Sequence, residues 1–189
     1  MSNMHKNISE EKLIQECIEG NRYAQKTLFE KYRSLMFAIC MRYAKSKDEA
    51  EDVMIDGFMK IYSSLNEFKK KGSFEGWLRR IMVNAAINNY RSNLKHYYLS
   101  TIDDNSFLEI RNEADDFKTN YSAEYLINLI QGLPDGYRMV FNLYEIEGYS
   151  HKEIAEIMNI SISTAKSQLF YAKKALQKKL AKINQEEIY

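Results

Sequence analysis

The chain has 189 residues, 45% of them hydrophobic and 28% charged, which is enough to bury a core and excludes disorder throughout. Seven glycines and a single proline, Pro134, leave few places for tight turns. Lys, Glu, Leu, Ala and Met, all good helix formers, supply much of the chain, so the expected fold class is all-α, with helices joined by short loops. Cys17 and Cys40 are too far apart for a CxxC metal or redox motif, no signal peptide is recognisable, and no apolar run approaches the roughly 20 residues that cross a bilayer. A soluble, cytoplasmic protein with no membrane insertion is expected.

In chain order, helical periodicity runs over about 12–19, 22–44, 47–65 and 74–94, with Ser73 placed to cap the last of these after Gly72. In the third helix Asp48, Glu49, Asp52 and Asp56 line one flank, while Val53, Met54, Phe58, Ile61, Tyr62 and Leu65 form an apolar face. An acidic flank repels DNA and suits a basic protein partner; a plain solvated face is the alternative. The fourth helix brings Trp77, Asn84, Asn88, Arg91 and Lys95 onto one side with Arg80 beside them, opposite Val83, Ala86, Ile87, Tyr90 and Leu94. Asparagine is a poor mid-helix residue, and its amide pairs with base edges. With Lys69, Lys70 and Lys71 just upstream, this side reads as a nucleic-acid surface on which bases could stack. The competing reading keeps Trp77 as a core anchor.

The net charge of +1 conceals two basic blocks around an acidic one. Lys69, Lys70, Lys71, Arg79, Arg80, Arg91 and Lys95 face only Glu75 over 69–95, and 157–185 carries lysines and no acid. Between them, 99–121 is acidic and without sustained period, a flexible linker. The expected division is a helical domain over 1–97 with its core at about 22–95, an acidic linker over 98–121 and a second helical domain over 122–189.

In that second domain "SAEYLINLIQGLP" reads as a helix ended by Gly132 and Pro134, and Asp135 opens another that stops at Gly148. "YSHKEIAEIMNISISTAKSQLFYAKKALQKKL" follows. Ser150 and Glu153 form a capping-box pattern, Asn159 and Ile160 make the joint, and Ser161 or Ser163 caps a last helix. Its apolar stripe is Ile162, Ala165, Leu169, Ala172, Leu176, Leu180 and Ile183. The opposite face presents Ser163, Lys166, Ser167, Phe170, Tyr171 and Lys174, which suits phosphates, base edges and thymine methyls in a major groove. A solvated lysine face is the alternative, but such faces usually mix both signs.

Taken together, "DEAEDVMIDGFMKIY", "GSFEGWLRRIMVNAAINNYR" and "LPDGYRMVFNLYEIEGYSHKEIAEIMNISISTAKSQLFYAKKAL" resemble regions 2.2, 2.3 to 2.4 and 4 of bacterial sigma factors of the extracytoplasmic-function (ECF) type, which keep only the second and fourth sigma domains. The resemblance implies a promoter-specificity factor that binds core RNA polymerase, recognises minus-35 and minus-10 elements and assists melting. It implies that Asp48, Glu51, Asp52, Asp56 and Phe58 dock on the clamp helices of the β′ subunit. It assigns the loop at 69–72 to capture of a flipped base, Asn84, Asn88 and Arg91 to the minus-10 element, and Lys166, Ser167, Phe170 and Tyr171 to the minus-35 element. The family often has Gly at Asn159, Val at Ala165 and Arg at Gln168 and Tyr171; losing the arginines weakens bidentate reading of guanine.

A stand-alone helix-turn-helix regulator is the alternative, but it leaves the acidic helix and the asparagine stripe without a role. His5, His96 and His151 are scattered, and no phosphate-binding loop, HExxH or nucleophile elbow is present, so neither catalysis nor a cofactor is expected. Promoter DNA, core polymerase and an anti-sigma factor are the expected partners.

Overall fold

The computed structural model describes residues 9–100 and 123–186, and the elements in these stretches are helical. They are α1 (Glu10–Ile18), α2 (Arg22–Tyr43), α3 (Lys47–Ser64), α4 (Phe74–Ser100), α5 (Ala123–Gln131), α6 (Asp135–Phe141), α7 (His151–Met158) and α8 (Ile162–Glu186). Local chemistry explains the starts. Ser9, Asn21, Ser46, Ser73, Ser150 and Ser161 each accept a hydrogen bond from a backbone N–H two or three residues on, satisfying donors that a first turn leaves open.

Two boundaries differ from the sequence expectation. The α4 helix continues to Ser100, past the expected domain boundary at 97, and the rest of the acidic linker, from 101, lies outside the described residues. The helix opened by Asp135 is regular only to Phe141 and then widens into a π turn, Asn142–Ile146. Asn142 causes this locally: fully buried, its side-chain amide donates to the Arg138 carbonyl (2.9 Å) and to the Arg42 carbonyl of α2 (2.8 Å), drawing the turn toward α2.

Helices α1 to α4 pack around Leu28, Met36, Ile61, Leu78 and Met82, each burial contributing about 1.5–3 kcal/mol. At Gly57 α3 passes close against α4, since a Cβ there would run into the Met82 sulfur. Met139, Val140, Leu143, Ile154 and Met158 extend the same core into the C-terminal half, and Leu129, Leu133, Ala172 and Leu176 close α5 on α8. Ile162, expected on the buried stripe of α8, is 46% exposed at the first turn, ahead of the point where that stripe begins to be covered at Ala165. The side chain of Ile183, the last member of the stripe, lies outside the described residues.

Candidate nucleic-acid interface

The C-terminal helices are built as a tight pair. Ser150 Oγ accepts from the Glu153 N–H (3.3 Å) and Glu153 accepts from the Ser150 N–H (2.8 Å), the reciprocal capping box; donation from the Ser150 hydroxyl (2.7 Å), and then from that backbone N–H, holds the Glu153 carboxyl below its ordinary value. Asn159 ends α7 in the left-handed conformation (φ 53°, ψ 48°), which asparagine tolerates, and Ser161 caps α8 through the Thr164 N–H at 2.9 Å. The result is a helix-turn-helix in which Ala165, Leu169, Ala172 and Leu176 anchor α8.

On the other side Ser163, Lys166, Ser167, Phe170, Tyr171 and Lys174 are all exposed, Phe170 at 61%. Tyr171 is steadied by stacking on Tyr137 (6.1 Å between centroids) and by an edge contact with Phe170 (5.4 Å). Gln168 is not part of this face: half buried, its Oε1 lacks a partner and its amide sits over Gly136. The lysines also divide. Lys173 is paired with Glu145 at 2.7 Å, and Lys179 donates to the Gly132 carbonyl, with burial lowering its pKa. Lys166, Lys174 and Lys178 have neither an acid nor a carbonyl partner among the described residues.

On α4, Arg80, Asn84 and Asn88 are exposed along one side, with Lys69, Lys71 and Lys70 on the loop before it. Lys70 has φ 56° and pairs with Glu11 at 2.8 Å. Trp77 is half buried against Phe68 and Phe74 (5.5 and 5.7 Å), so part of its ring belongs to the aromatic core. Arg91 lies on the expected side, but its guanidinium is bonded to the Ile157 carbonyl of α7 (Nε to O 2.8 Å). The Lys95 side chain is outside the described residues. Sequence reasoning missed Asn89 and Asn93, whose amides tie α4 to Glu49 at 2.7 and 3.0 Å.

On α3, Asp48, Glu51, Asp52 and Asp56 are exposed, Glu51 beside Lys47 at 3.9 Å. Phe58 corrects the expectation for this face. At 3% exposure its ring packs on Phe29 (4.7 Å) and Tyr62 (6.1 Å), because it lies on the apolar side that α2 covers. The surface apolar residues are instead Ile55 and Met59, 54% and 65% exposed. Their signal was present in the sequence, as apolar residues three and four positions from the acids of the flank.

A junction between the halves was not anticipated at all. Glu147, at the end of the π turn and 9% exposed, accepts from Arg42 (3.2 Å) and bidentately from Arg79 (3.0 and 3.1 Å). Burial lowers the Arg42 pKa, and the hydrogen bond to Glu147 raises that of Arg79. Beside it the buried Arg138 donates to the carbonyls of Tyr43 (2.8 Å), Gln131 (3.0 Å) and Leu133 (2.9 Å) and to Asp135 (2.8 Å), which also holds Lys45 at 2.7 Å.

An acidic helix, an asparagine-bearing helix behind a lysine loop and a capped helix-turn-helix together define an all-helical protein of the helix-turn-helix class, with its acidic and basic surfaces kept apart. Two family profiles match this chain: "Sigma-70 region 2" over residues 28–95 and "Sigma-70, region 4" over residues 123–176. The ECF RNA polymerase sigma-E factor of Escherichia coli (strain K12) is 27% identical over 186 residues, covering 94% of this chain and 97% of that protein. The RNA polymerase sigma-H factor of Pseudomonas aeruginosa is 28% identical over 186 residues, covering 94% and 96%. Among solved structures, the sigma factor RpoE of Bartonella quintana, in complex with the anti-sigma factor NepR, aligns with a TM-score of 0.49, 21% identity and coverage of 82% of this chain and 96% of that one.

The chain belongs to the sigma-70 family, in its ECF class. Its function is that of a promoter-specificity factor, which binds core RNA polymerase, recognises the minus-35 and minus-10 elements and assists melting.

Proposed function

We propose a division of this function among the described surfaces. The α8 face of Ser163, Lys166, Ser167, Phe170, Tyr171 and Lys174 enters the major groove of the minus-35 element, where Lys166 and Lys174 meet phosphates and the hydroxyls and Phe170 meet base edges. Lys69, Lys70, Lys71, Arg80, Asn84, Asn88 and Arg91 engage the minus-10 strand, with the accessible part of Trp77 as a stacking surface. Asp48, Glu51, Asp52 and Asp56, with Ile55 and Met59 between them, dock on the clamp of the polymerase, and Phe58 supports that helix from inside. The parts fall into 1–97, 98–121 and 122–189, with α4 carrying the first past its nominal end. The chain performs no covalent chemistry, works in the cytoplasm, and presents its polymerase and DNA surfaces to an anti-sigma factor when silenced.

The observation that carries this reading is the pairing of opposite surfaces: an acid stripe on α3 free of DNA-binding character, and unpaired cations beside an exposed aromatic on α8. Co-purification with core polymerase tests it, using Asp52→Lys with Asp56→Lys as the variant. Core affinity is expected to fall tenfold or more, about 1.4 kcal/mol, while the isolated variant still binds duplex DNA. A parent chain that binds duplex but never the core enzyme overturns the reading.

A further inference from the structure

Two adjacent exposed rings on α8 are held in place by a third ring from another helix. Tyr137 of α6 packs against the cluster of Leu129, Leu133, Ala172 and Leu176, and its ring lies nearly parallel to that of Tyr171 (18° between planes, 6.1 Å between centroids). Phe170 meets Tyr171 edge-on at 75° and 5.4 Å. A lone exposed ring needs no explanation, but an aromatic pair of this kind favours its contacting rotamers by about two- to tenfold. The rings are thereby preset where surface side chains are usually free.

Their surroundings indicate what they meet. Lys166, Phe170 and Lys174 fall on one i, i+4 row, and the two lysines have neither an acid nor a carbonyl partner among the described residues. Eight residues of helix separate those lysines by about 12 Å along the axis, close to the width of a major groove. Such a flanking pair favours a polyanion. Between them the helix presents neither an amide nor a guanidinium. Gln168 lies inward in the space that Gly136 leaves, where a Cβ would run into its amide, and the Ser167 hydroxyl bonds to any base. On the major-groove edges of the bases, the thymine C5-methyl is the apolar group among hydrogen-bond donors and acceptors.

Resting on the assignment of α8 to the minus-35 element, we infer that Phe170 and Tyr171 form an apolar reader of thymine methyls, and that Tyr137, outside the recognition helix, is the positioning residue that presets it. The lysines hold the helix on the phosphates, and the rings choose the base. Selectivity at these positions rests on burial of a methyl group, about fourfold for each CH₂-sized group removed from water, and is milder than bidentate hydrogen bonding would give.

The experiment uses holoenzyme reconstituted with the parent chain to select duplexes from a pool randomised over the minus-35 element. The affinity of the selected duplex is then compared with that of a copy in which deoxyuridine replaces thymine within the element. Uracil keeps every hydrogen-bonding group of thymine and lacks only the methyl. Thymine is expected at one or two adjacent positions, with affinity falling about fourfold per methyl removed. Phe170→Ala and Tyr137→Ala should bring this ratio below about twofold, whereas Tyr137→Phe keeps the stack and retains it. Lys166→Ala should weaken both duplexes equally and leave the ratio at the parent value, which separates loss of reading from a general loss of affinity. Circular dichroism checks the helicity of each variant; should Tyr137→Ala lose it, Tyr171→Ala, at an exposed position, is read by the same criteria. Equal affinity for the thymine and deoxyuridine duplexes overturns the reader, and a parent ratio in Tyr137→Ala overturns the positioning role. A holoenzyme indifferent to the whole minus-35 sequence would instead overturn the assignment of α8.

Discussion

The sharpest test of the α8 assignment uses the difference between its lysines. Lys166 is exposed and has no acid partner among the described residues, whereas Lys173 is 2.7 Å from Glu145. A cation that neutralises a phosphate releases a condensed counterion, and each contact contributes about 0.9 to the slope of log K against log salt. Lys166→Ala should therefore reduce that slope by about 0.9. Between about 50 and 200 mM salt, a fourfold range, the parent then loses about 3.5-fold more affinity than the variant. Lys173→Ala alone is a poor comparison, because it frees a carboxylate beside the DNA. Removing the pair together, Lys173→Ala with Glu145→Ala, keeps the net charge and should leave the slope at the parent value. The assay is fluorescence anisotropy of a labelled promoter duplex bound by holoenzyme reconstituted with each chain. An unchanged slope for Lys166→Ala refutes the contact. A loss of slope in the double variant as large as that for Lys166→Ala refutes the argument that ion pairing withdraws Lys173.

The remaining predictions concern stability. Asn159→Ala should lower it by about 1 kcal/mol, since alanine tolerates the left-handed turn less well than asparagine, and move the thermal midpoint down by about 2–4 °C, while Asn159→Gly leaves it within a few tenths of a kcal/mol. An equal loss for both would mean that the side chain, not the turn conformation, matters. Burial pushes the Cys17 thiol up to about 11, Cys40 up to about 12 and the Tyr62 hydroxyl up to about 12, each from a lower ordinary value. Groups raised by folding contribute stability that is present below their unfolded pKa and lost as pH rises through the folded one. Melting temperature should accordingly fall as pH rises from about 9 to about 12, and both cysteines should resist alkylation near neutral pH until the chain is unfolded. Rapid modification of either thiol in the native protein would contradict the burial.

The helices and their starts were legible in the chain itself, because caps act over two or three residues and an amphipathic stripe needs only the 3.6-residue period. Ser73, Ser150 with Glu153 and Asn159 act where their spacing placed them, and of Ser161 and Ser163, between which the sequence left the last cap open, Ser161 is the one used. The exposed α8 face was legible for the same reason. What sequence could not decide was which charges remain free and which aromatic rings remain outside. Phe58 and half of Trp77 are covered by rings from other helices, and Gln168 is turned in over Gly136. Lys173 and Lys179 are occupied by groups on other elements of the C-terminal half, and Arg91 by the Ile157 carbonyl. Glu147 looked like any acid near the end of a helix, yet its partners Arg42 and Arg79 lie 105 and 68 residues away along the chain. Local rules reach one or two turns. Pairing across such distances depends on how α2, α4 and the π turn pack, which no short stretch of sequence records, and only that packing brings Arg42 and the part-exposed Arg79 onto the nearly buried Glu147.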